Sequence, residues 1–359
     1  MMGGSLALAA QERAGTEAVV GYDSDPTALQ EALELGVITE TAQSAAAAAA
    51  GADLTVISTP VTTIPGLVEE CITGDPPTRA ITDLGSTKTN VMRGLSERAR
   101  ALFVGGHPMR GAADSGVRYA RTGLFEGATY FLCTTSQVSP ELYGMVQQFV
   151  ADLGAKPTHI EPLAHDRITA AVSHLPHVVA NALMEHAGSV SGGGRRALQC
   201  AGASFSDLTR IAGANPPMWK DIFLENRDAL AASLEALAAY LADFSDTLAS
   251  GDVARVVNAI ESAGAYREEM LQYADITPDT LYKVTVWVSD TPGVIAKVMT
   301  ALGEAEINVE DLTMHHINRA VGGDLEVFVS GRDTAERAAE LLGGLGFPST
   351  VNPHGDDAE

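Results

Sequence analysis

Short β-branched runs separated by stretches of helical periodicity fill the first half of the chain. "EAVVGYD", "DLTVISTP", "RAITDLGS", "ALFVGGHP" and "ATYFLCTT" each have the apolar continuity of a buried strand. The segments between the earlier runs, such as Pro26 to Leu35, carry helix-length patterns. That alternation predicts a parallel α/β sheet. "SAAAAAAGAD" is low in complexity, but alanine is the best helix former, so a short helix is expected before the strand at Leu54.

From about Pro162 to Tyr273 strand signals vanish and long helical patterns take over. In "ENRDALAASLEALAAYLADFSDTLASG" the residues Leu230, Leu234, Leu237, Leu241 and Phe244 fall on one stripe, broad enough for a helix–helix interface. After the Pro-containing stretch "YADITPD" the texture changes again. "LYKVTVWV" alternates, and "TPGVIAKVMTALGEA" puts Val294, Ile295, Val298, Met299 and Leu302 on one helical face. "INVEDLTMHHI", "DLEVFVSG", a helix from Thr334 to Leu342 and a short strand near Ser349 complete the order βαββαβ, a ferredoxin-like module. The expected division is residues 1–160 as a dinucleotide-binding domain, 161–275 as an all-helical domain, 280–351 as the βαββαβ domain and 352–359 as a tail, with its end "HGDDAE" disordered.

Composition narrows the function. The chain of 359 residues carries 46 acidic side chains against 23 Lys and Arg, a net charge of −23, which repels nucleic acid and anionic membrane surfaces. Cys71, Cys133 and Cys200 are too scattered for a zinc site, read as small buried hydrophobes, and suit a reducing cytoplasm. Neither a membrane span nor a signal peptide is expected.

The opening "MMGGSLALAA" has the glycine-to-helix transition that delivers a bound phosphate to a helix N-terminus. In a dinucleotide-binding unit a buried strand feeds that turn, and two methionines are all that precede Gly3 and Gly4 here. Gly3 would be the third fingerprint glycine, and the first two glycines with the first strand are expected upstream of Met1. The next strand ends in Asp23, about 20 residues past the glycines, placed to accept hydrogen bonds from an adenosine ribose and to repel the extra phosphate of NADP. NAD is the expected cofactor. A degenerate domain that has lost its cofactor is the alternative.

Open α/β sheets bind ligands at the carboxyl ends of their strands. Three such ends stand out: "STPVTT" with Thr59 and Pro60, "DLGSTKTN" with Ser86 and Lys88, and "GGHPMRG" with His107. Further on come "HDRITAAVSHLPHVVANAL" and "SFSDLTRIAGANPPMWKDIFLENRD". These segments, in this order, resemble the prephenate and arogenate dehydrogenases of tyrosine biosynthesis, and "DTPGVIAKVMTALGEAEINVED" resembles part of an ACT domain. The resemblance runs from Met1 to about Phe347. "GGHPM", "SHLPH" and "TRIA" followed by "MWKDIFLEN" carry its specificity together.

The resemblance implies NAD-dependent oxidative decarboxylation of prephenate, or of arogenate, in a cytoplasmic homodimer. A neutral imidazole at His107 can accept the hydroxyl proton as hydride leaves. In the family the serine matching Ser86 hydrogen-bonds the same hydroxyl; a helix cap is its other reading. His174 and His177 share a helical face, where metal binding is the alternative; by resemblance His177 binds substrate and Ser173 lines the pocket. His165 reads as a helix-start residue that steadies the site. Arg210 suits a substrate carboxylate because guanidinium binds carboxylates bidentately, and a salt bridge to Asp207 is its plain alternative. Trp219 walls the pocket or belongs to the core.

Some relatives carry a lysine where this chain has Ser206 and an acid where it has Ala113, so a gating ion pair known in part of the family is expected to be absent; Thr87 replaces a commoner valine. In the last module Asp290, Gly293 and Asn308, at the start of the second strand, are the positions where ACT domains commonly bind an amino acid. Tyrosine, the end product, is the expected effector. Two other readings stay open: a β-hydroxyacid dehydrogenase, which would need a catalytic lysine absent between Lys156 and Lys220, and an amino-acid sensor with an inactive dehydrogenase half.

Overall fold

A computed structural model describes residues 1–111, 116–190, 194–273, 281–289, 291–318 and 322–353. It divides into two compact units, Met1–Tyr240 and Leu241–Glu359.

The first unit opens with α1 (Met2–Arg13), β1 (Val20–Gly21), α2 (Pro26–Glu34), β2 (Glu40–Thr41), α3 (Ala45–Ala49), β3 (Thr55–Ile57) and α4 (Ile64–Cys71). Then come β4 (Ile81–Asp83), α5 (Thr89–Arg93), α6 (Glu97–Leu102), β5 (Phe103–Pro108), β6 (Thr129–Cys133), α7 (Pro140–Asp152) and β7 (Lys156–His159). Caps punctuate the helices as the sequence suggests: Asp25 accepts from Thr27 N, Ser44 starts the alanine run by accepting from Ala47 N, and Ser139 caps α7.

The sheet is in two parts. β1 pairs in parallel with β2, while β3, β4, β5, β6 and β7 form a five-stranded sheet in that order, with β3 at its edge. β3, β4 and β5 run parallel as expected, but β6 runs antiparallel to β5, and β7 is parallel to β6. The reason lies in the connection. A parallel return needs a crossover helix, and the described residues between Pro108 and Thr129 supply only the short 3₁₀ turns Val117–Tyr119 and Thr122–Phe125. Phe103, Val104, Phe125, Tyr130, Leu132, Val146, Val150 and Leu153 are buried about this sheet. Cys71 and Cys133 are buried as expected; Cys200 is not, because it lies exposed in the turn that follows Gln199.

The chain continues as helices: α8 (Pro162–Thr169), a π turn (Ala170–His174), α9 (Leu175–Ser189), α10 (Gly194–Gln199), α11 (Ala203–Thr209), α12 (Pro216–Glu225), α13 (Arg227–Ser250) and α14 (Val253–Tyr273). Pro176 explains the π turn. It has no N–H for the residue four back, and Leu175 N bonds instead to Ala170 O, five back, so the helix widens by one residue at Ser173 and His174. No helix among the described residues is long and apolar enough to cross a membrane.

The second unit contains β8 (Leu281–Val288), α15 (Val294–Glu304), β9 (Asp311–Asn318), β10 (Gly322–Ser330), α16 (Arg332–Gly344) and β11 (Ser349–Pro353). The order β11-β8-β10-β9, antiparallel throughout, is the ferredoxin-like arrangement expected from the alternation. The buried members of its core cluster are aliphatic, among them Val284, Val286, Val298, Leu302, Leu325, Val327 and Leu342, and Tyr282 and Phe347 pack against them. Gly293 begins α15 at φ 88°, a left-handed conformation that favours glycine. Asn308 lies ahead of β9 rather than at its start, because the residues before Asp311 form no ladder, and its amide donates to Glu310. The expected tail 352–359 begins too early, because Asn352 and Pro353 still pair with β8 in β11; its remainder 354–359, Asp290 and Ala113 fall outside the described residues.

Candidate active site

β4 and β5 are adjacent parallel strands, so the loops that follow them emerge side by side. The loop after β4 carries Ser86, while His107 is not past its strand as expected but is the penultimate residue of β5, where it still pairs with Phe131. Asp83, the last residue of β4, holds both: Oδ2 accepts from Gly85 N and Oδ1 accepts from Gly106 N, each at 2.9 Å. The backbone immediately before each candidate residue is thus tied to one carboxylate. That carboxylate is ion-paired with Lys88, and both side chains are fully buried. The two glycines before His107 make room for the pair. A Cβ on Gly105 would lie 2.9 Å from Lys88 Cδ, and one on Gly106 would strike the Asp83 carbonyl and come within 2.9 Å of the Tyr130 ring. In a strand interior, adjacent glycines signal this kind of close approach.

Asp166, next to His165 at the heart of α8, reaches across to the same loop. Its Oδ1 accepts from Lys88 N and its Oδ2 from Thr89 N, each at 2.8 Å, so a residue far along the chain caps α5. Ser86 does not cap that helix. Oδ1 also contacts His165 Nδ1 at 2.8 Å, and His165 Nε2 contacts His107 Nδ1 at 2.8 Å. His165 is completely buried, with Phe131 edge-on to its ring at 5.5 Å. Asn226 ties in the next turn: its Nδ2 donates to Asp166 O at 2.7 Å and lies 3.0 Å from His174 Nδ1.

From His174 the contacts run on through aromatic rings. Trp219 meets His174 edge-on at 6.0 Å between centroids and stacks on His177 at 3.5 Å and 32°. The Ile211 backbone, next to Arg210, lies near enough to the His177 ring to favour its protonated form against burial. Arg210 is exposed at the end of α11 and makes no ion pair to Asp207 among the described residues. His107, His165, Asp166, His174, Trp219, His177 and the Arg210 segment therefore form one contiguous series within the first unit. Ser173 is half-buried in the π turn beside His174. Lys88 was marked in the sequence only as part of its strand end, without a role, and Asp83, Asp166 and Asn226 were not singled out. The available signal was an aspartate closing an otherwise apolar strand, since a buried acid needs a buried partner.

The electrostatics favour neutral imidazoles and an ionised carboxylate. Burial, reinforced by His165, Lys88 and His174, pushes the His107 pKa well below the ordinary histidine value. Burial also takes His174 down to about 4 and lowers His177. For Asp166, burial works to raise the pKa, but hydrogen bonds from His165, Thr89 and the Lys88 and Thr89 backbone outweigh it and hold the pKa below the carboxylate value.

The expected cofactor residues cluster about the start of α1. A Cβ on Gly3 would come 2.8 Å from Ser58 Cβ, which places the helix against the residue before Thr59 and Pro60; one on Gly4 would come 3.1 Å from Ala120. The first turn of α1 has no side-chain cap and no acid, so its amide groups are available to an anion. Asp23 follows β1, exposed, and accepts from Asp25 N at 2.8 Å. Those residues fit a dinucleotide.

The family described as "Prephenate dehydrogenase, nucleotide-binding domain" matches residues 6–159, and "Prephenate dehydrogenase, dimerization domain" matches residues 161–262. Prephenate dehydrogenase of Bacillus subtilis (strain 168) is 29% identical over 346 residues, covering 95% of this chain and 93% of the relative. Among solved structures, prephenate dehydrogenase from A. aeolicus in complex with hydroxyphenyl propionate and NAD+ superposes with a TM-score of 0.70 at 30% identity, covering 75% of this chain and 94% of that one. Synechocystis arogenate dehydrogenase gives 0.67 at 25% identity, covering 75% and 96%. The chain belongs to the prephenate and arogenate dehydrogenase family.

Proposed function

We propose that this protein oxidatively decarboxylates prephenate to hydroxyphenylpyruvate with NAD, in tyrosine biosynthesis. The observation that carries the reading is the unbroken series of contacts from His107 to His177, Trp219 and the Arg210 segment. His107 is the base for the ring hydroxyl, and Ser86, on the adjacent loop, hydrogen-bonds that hydroxyl. Arg210, whose backbone but not its guanidinium bonds to Asp207, clamps a substrate carboxylate, while His177 and Ser173 line the pocket and Trp219 walls it. Gly3, Gly4 and the amide groups of α1 hold the pyrophosphate, Asp23 the ribose, and Thr59 and Pro60 the face nearest the substrate. When bound, the nicotinamide accepts the hydride. Loss of carbon dioxide then leaves an aromatic ring.

A base kept neutral by burial has a plain pH signature. kcat/KM stays level across neutral pH and falls only on the acid side, well below the usual histidine range. Arogenate, which differs in an amino for a keto group on the side chain, is the alternative substrate, supported by the Synechocystis likeness.

The same reading extends to assembly and control. Leu241, Leu248, Val253, Ile260 and Tyr266 on α13 and α14 are exposed apolar side chains suited to a homodimer. Gly293, Asn308 and Asp290 are the positions for tyrosine as effector, and the cytoplasm is the compartment. NADH formation from prephenate and from arogenate, with NAD and with NADP, tests the assignment: prephenate with NAD is expected to give the highest kcat/KM, and no turnover of either substrate would overturn it. Equilibrium titration with tyrosine should saturate; no binding would remove the effector.

A further inference from the structure

We propose that His165 and Asp166 form a positioning pair that fixes the tautomer of His107 and takes up the proton His107 receives. This rests on reading His107 as the base. The Asp166 carboxylate accepts from Lys88 N, Thr89 N and the His165 ring, so donors occupy it on every side that contacts protein. An ionised carboxylate can only accept, so Nδ1 of His165 carries the hydrogen. A neutral imidazole has one N–H, which leaves His165 Nε2 as an acceptor. The 2.8 Å contact with His107 Nδ1 then needs a donor, and His107 supplies it. The lone pair of His107 is thereby confined to Nε2, the nitrogen not engaged by His165. Without the pair, nothing in the strand dictates which nitrogen of His107 carries hydrogen.

The same contacts give the proton a route. As the substrate O–H bond breaks, an N–H bond forms at His107 Nε2; the His107 Nδ1–H bond breaks as one forms at His165 Nε2. The positive charge comes to rest on His165, against the ionised Asp166, and His107 is neutral again. The groups in direct contact with the His165 ring are His107, Asp166 and the edge-on Phe131 ring, with neutral His174 near enough to act on it, so the carboxylate is the counter-charge in direct contact. Asp166 also anchors Lys88 N and Thr89 N, so it sets the loop bearing Ser86 and the direction of the His107 hydrogen bond together.

The test pairs spectroscopy with kinetics on the full chain. Ring-¹⁵N histidine labelling, with His107→Asn for assignment, reads the tautomer of His107 directly, and the Nδ1–H form is expected at neutral pH. For His165→Leu, kcat should fall about 100-fold with KM within about threefold of wild type, and His165→Gln, whose carbonyl still accepts from His107, should recover about tenfold. Trp219 fluorescence checks that both variants are folded. An Nε2–H form of His107, a Leu variant within about threefold of wild-type kcat, or a folded Gln variant as slow as Leu would overturn the proposal. Should the wild type not oxidise prephenate or arogenate, the functional assignment fails while the tautomer measurement still decides the pair.

Discussion

The site in the first unit and the βαββαβ module in the second are stabilised in opposite ways. The core cluster between the module's sheet and two helices is built from buried aliphatic side chains, with Tyr282 and Phe347 packed against it; its internal ion pair, Lys283–Glu326, stays partly open to solvent. The site buries Asp83, Lys88, His165, Asp166, His174 and Asn226, each with hydrogen-bond partners in the fold. An aliphatic core loses stability in proportion to the volume removed. A buried polar series responds to the loss of one partner, because the other is left as an unsatisfied charge or donor. The second kind of core costs more to assemble and fixes the direction of each polar group it holds.

Each region contains one of the chain's two tryptophans, Trp219 by the site and Trp287 on β8, so Trp219→Phe and Trp287→Phe backgrounds report each region's urea unfolding separately. The largest loss is expected from Lys88→Met, which leaves Asp83 buried without a counter-charge: about 3–5 kcal/mol at the Trp219 transition, with Trp287 unaffected. Equal shifts at both tryptophans would break the comparison. Leu325→Ala should cost about 2–5 kcal/mol at the Trp287 transition alone. Gly106→Ala drives a methyl into Asp83, Thr82 and Tyr130 and should cost about 1–3 kcal/mol at the Trp219 transition. Lys283→Met, on a half-open pair, should cost less than about 1 kcal/mol.

pH separates the regions as well. The folded pKa values of His107 and His174 lie below the unfolded value of 6.5, His174 at about 4. As pH falls below 6.5 the unfolded chain binds protons that the folded site refuses, so stability is full above 6.5 and declines down to about 4. That decline is expected in the Trp219 transition; its absence there would mean these imidazoles are not buried neutral in solution.

The contrast also explains what could be read from the sequence. The module was legible because alternation and helical periodicity are local, and β8, α15 and β10 fall where Val284, Val298 and Val327 predict them. β3, β4 and β5 were legible for the same reason. β2 and β7 were not, since Glu40–Thr41 and Lys156–His159 lack a β-branched apolar run. The antiparallel return of β6 depends on a missing crossover helix, a property of a loop. His107 was legible from its Gly-Gly-His-Pro setting. Asp166 was not, because its partners Lys88 and Thr89 are 78 and 77 residues away and only the folded chain brings them together.

The central claim is that His107 takes a proton from bound substrate at the end of β5. Steady-state NADH formation by His107→Asn and wild type, with prephenate and NAD, tests it most directly. The account predicts that kcat falls about 10²- to 10⁴-fold while KM moves less than about threefold. Turnover near wild type in a folded His107→Asn protein would contradict it.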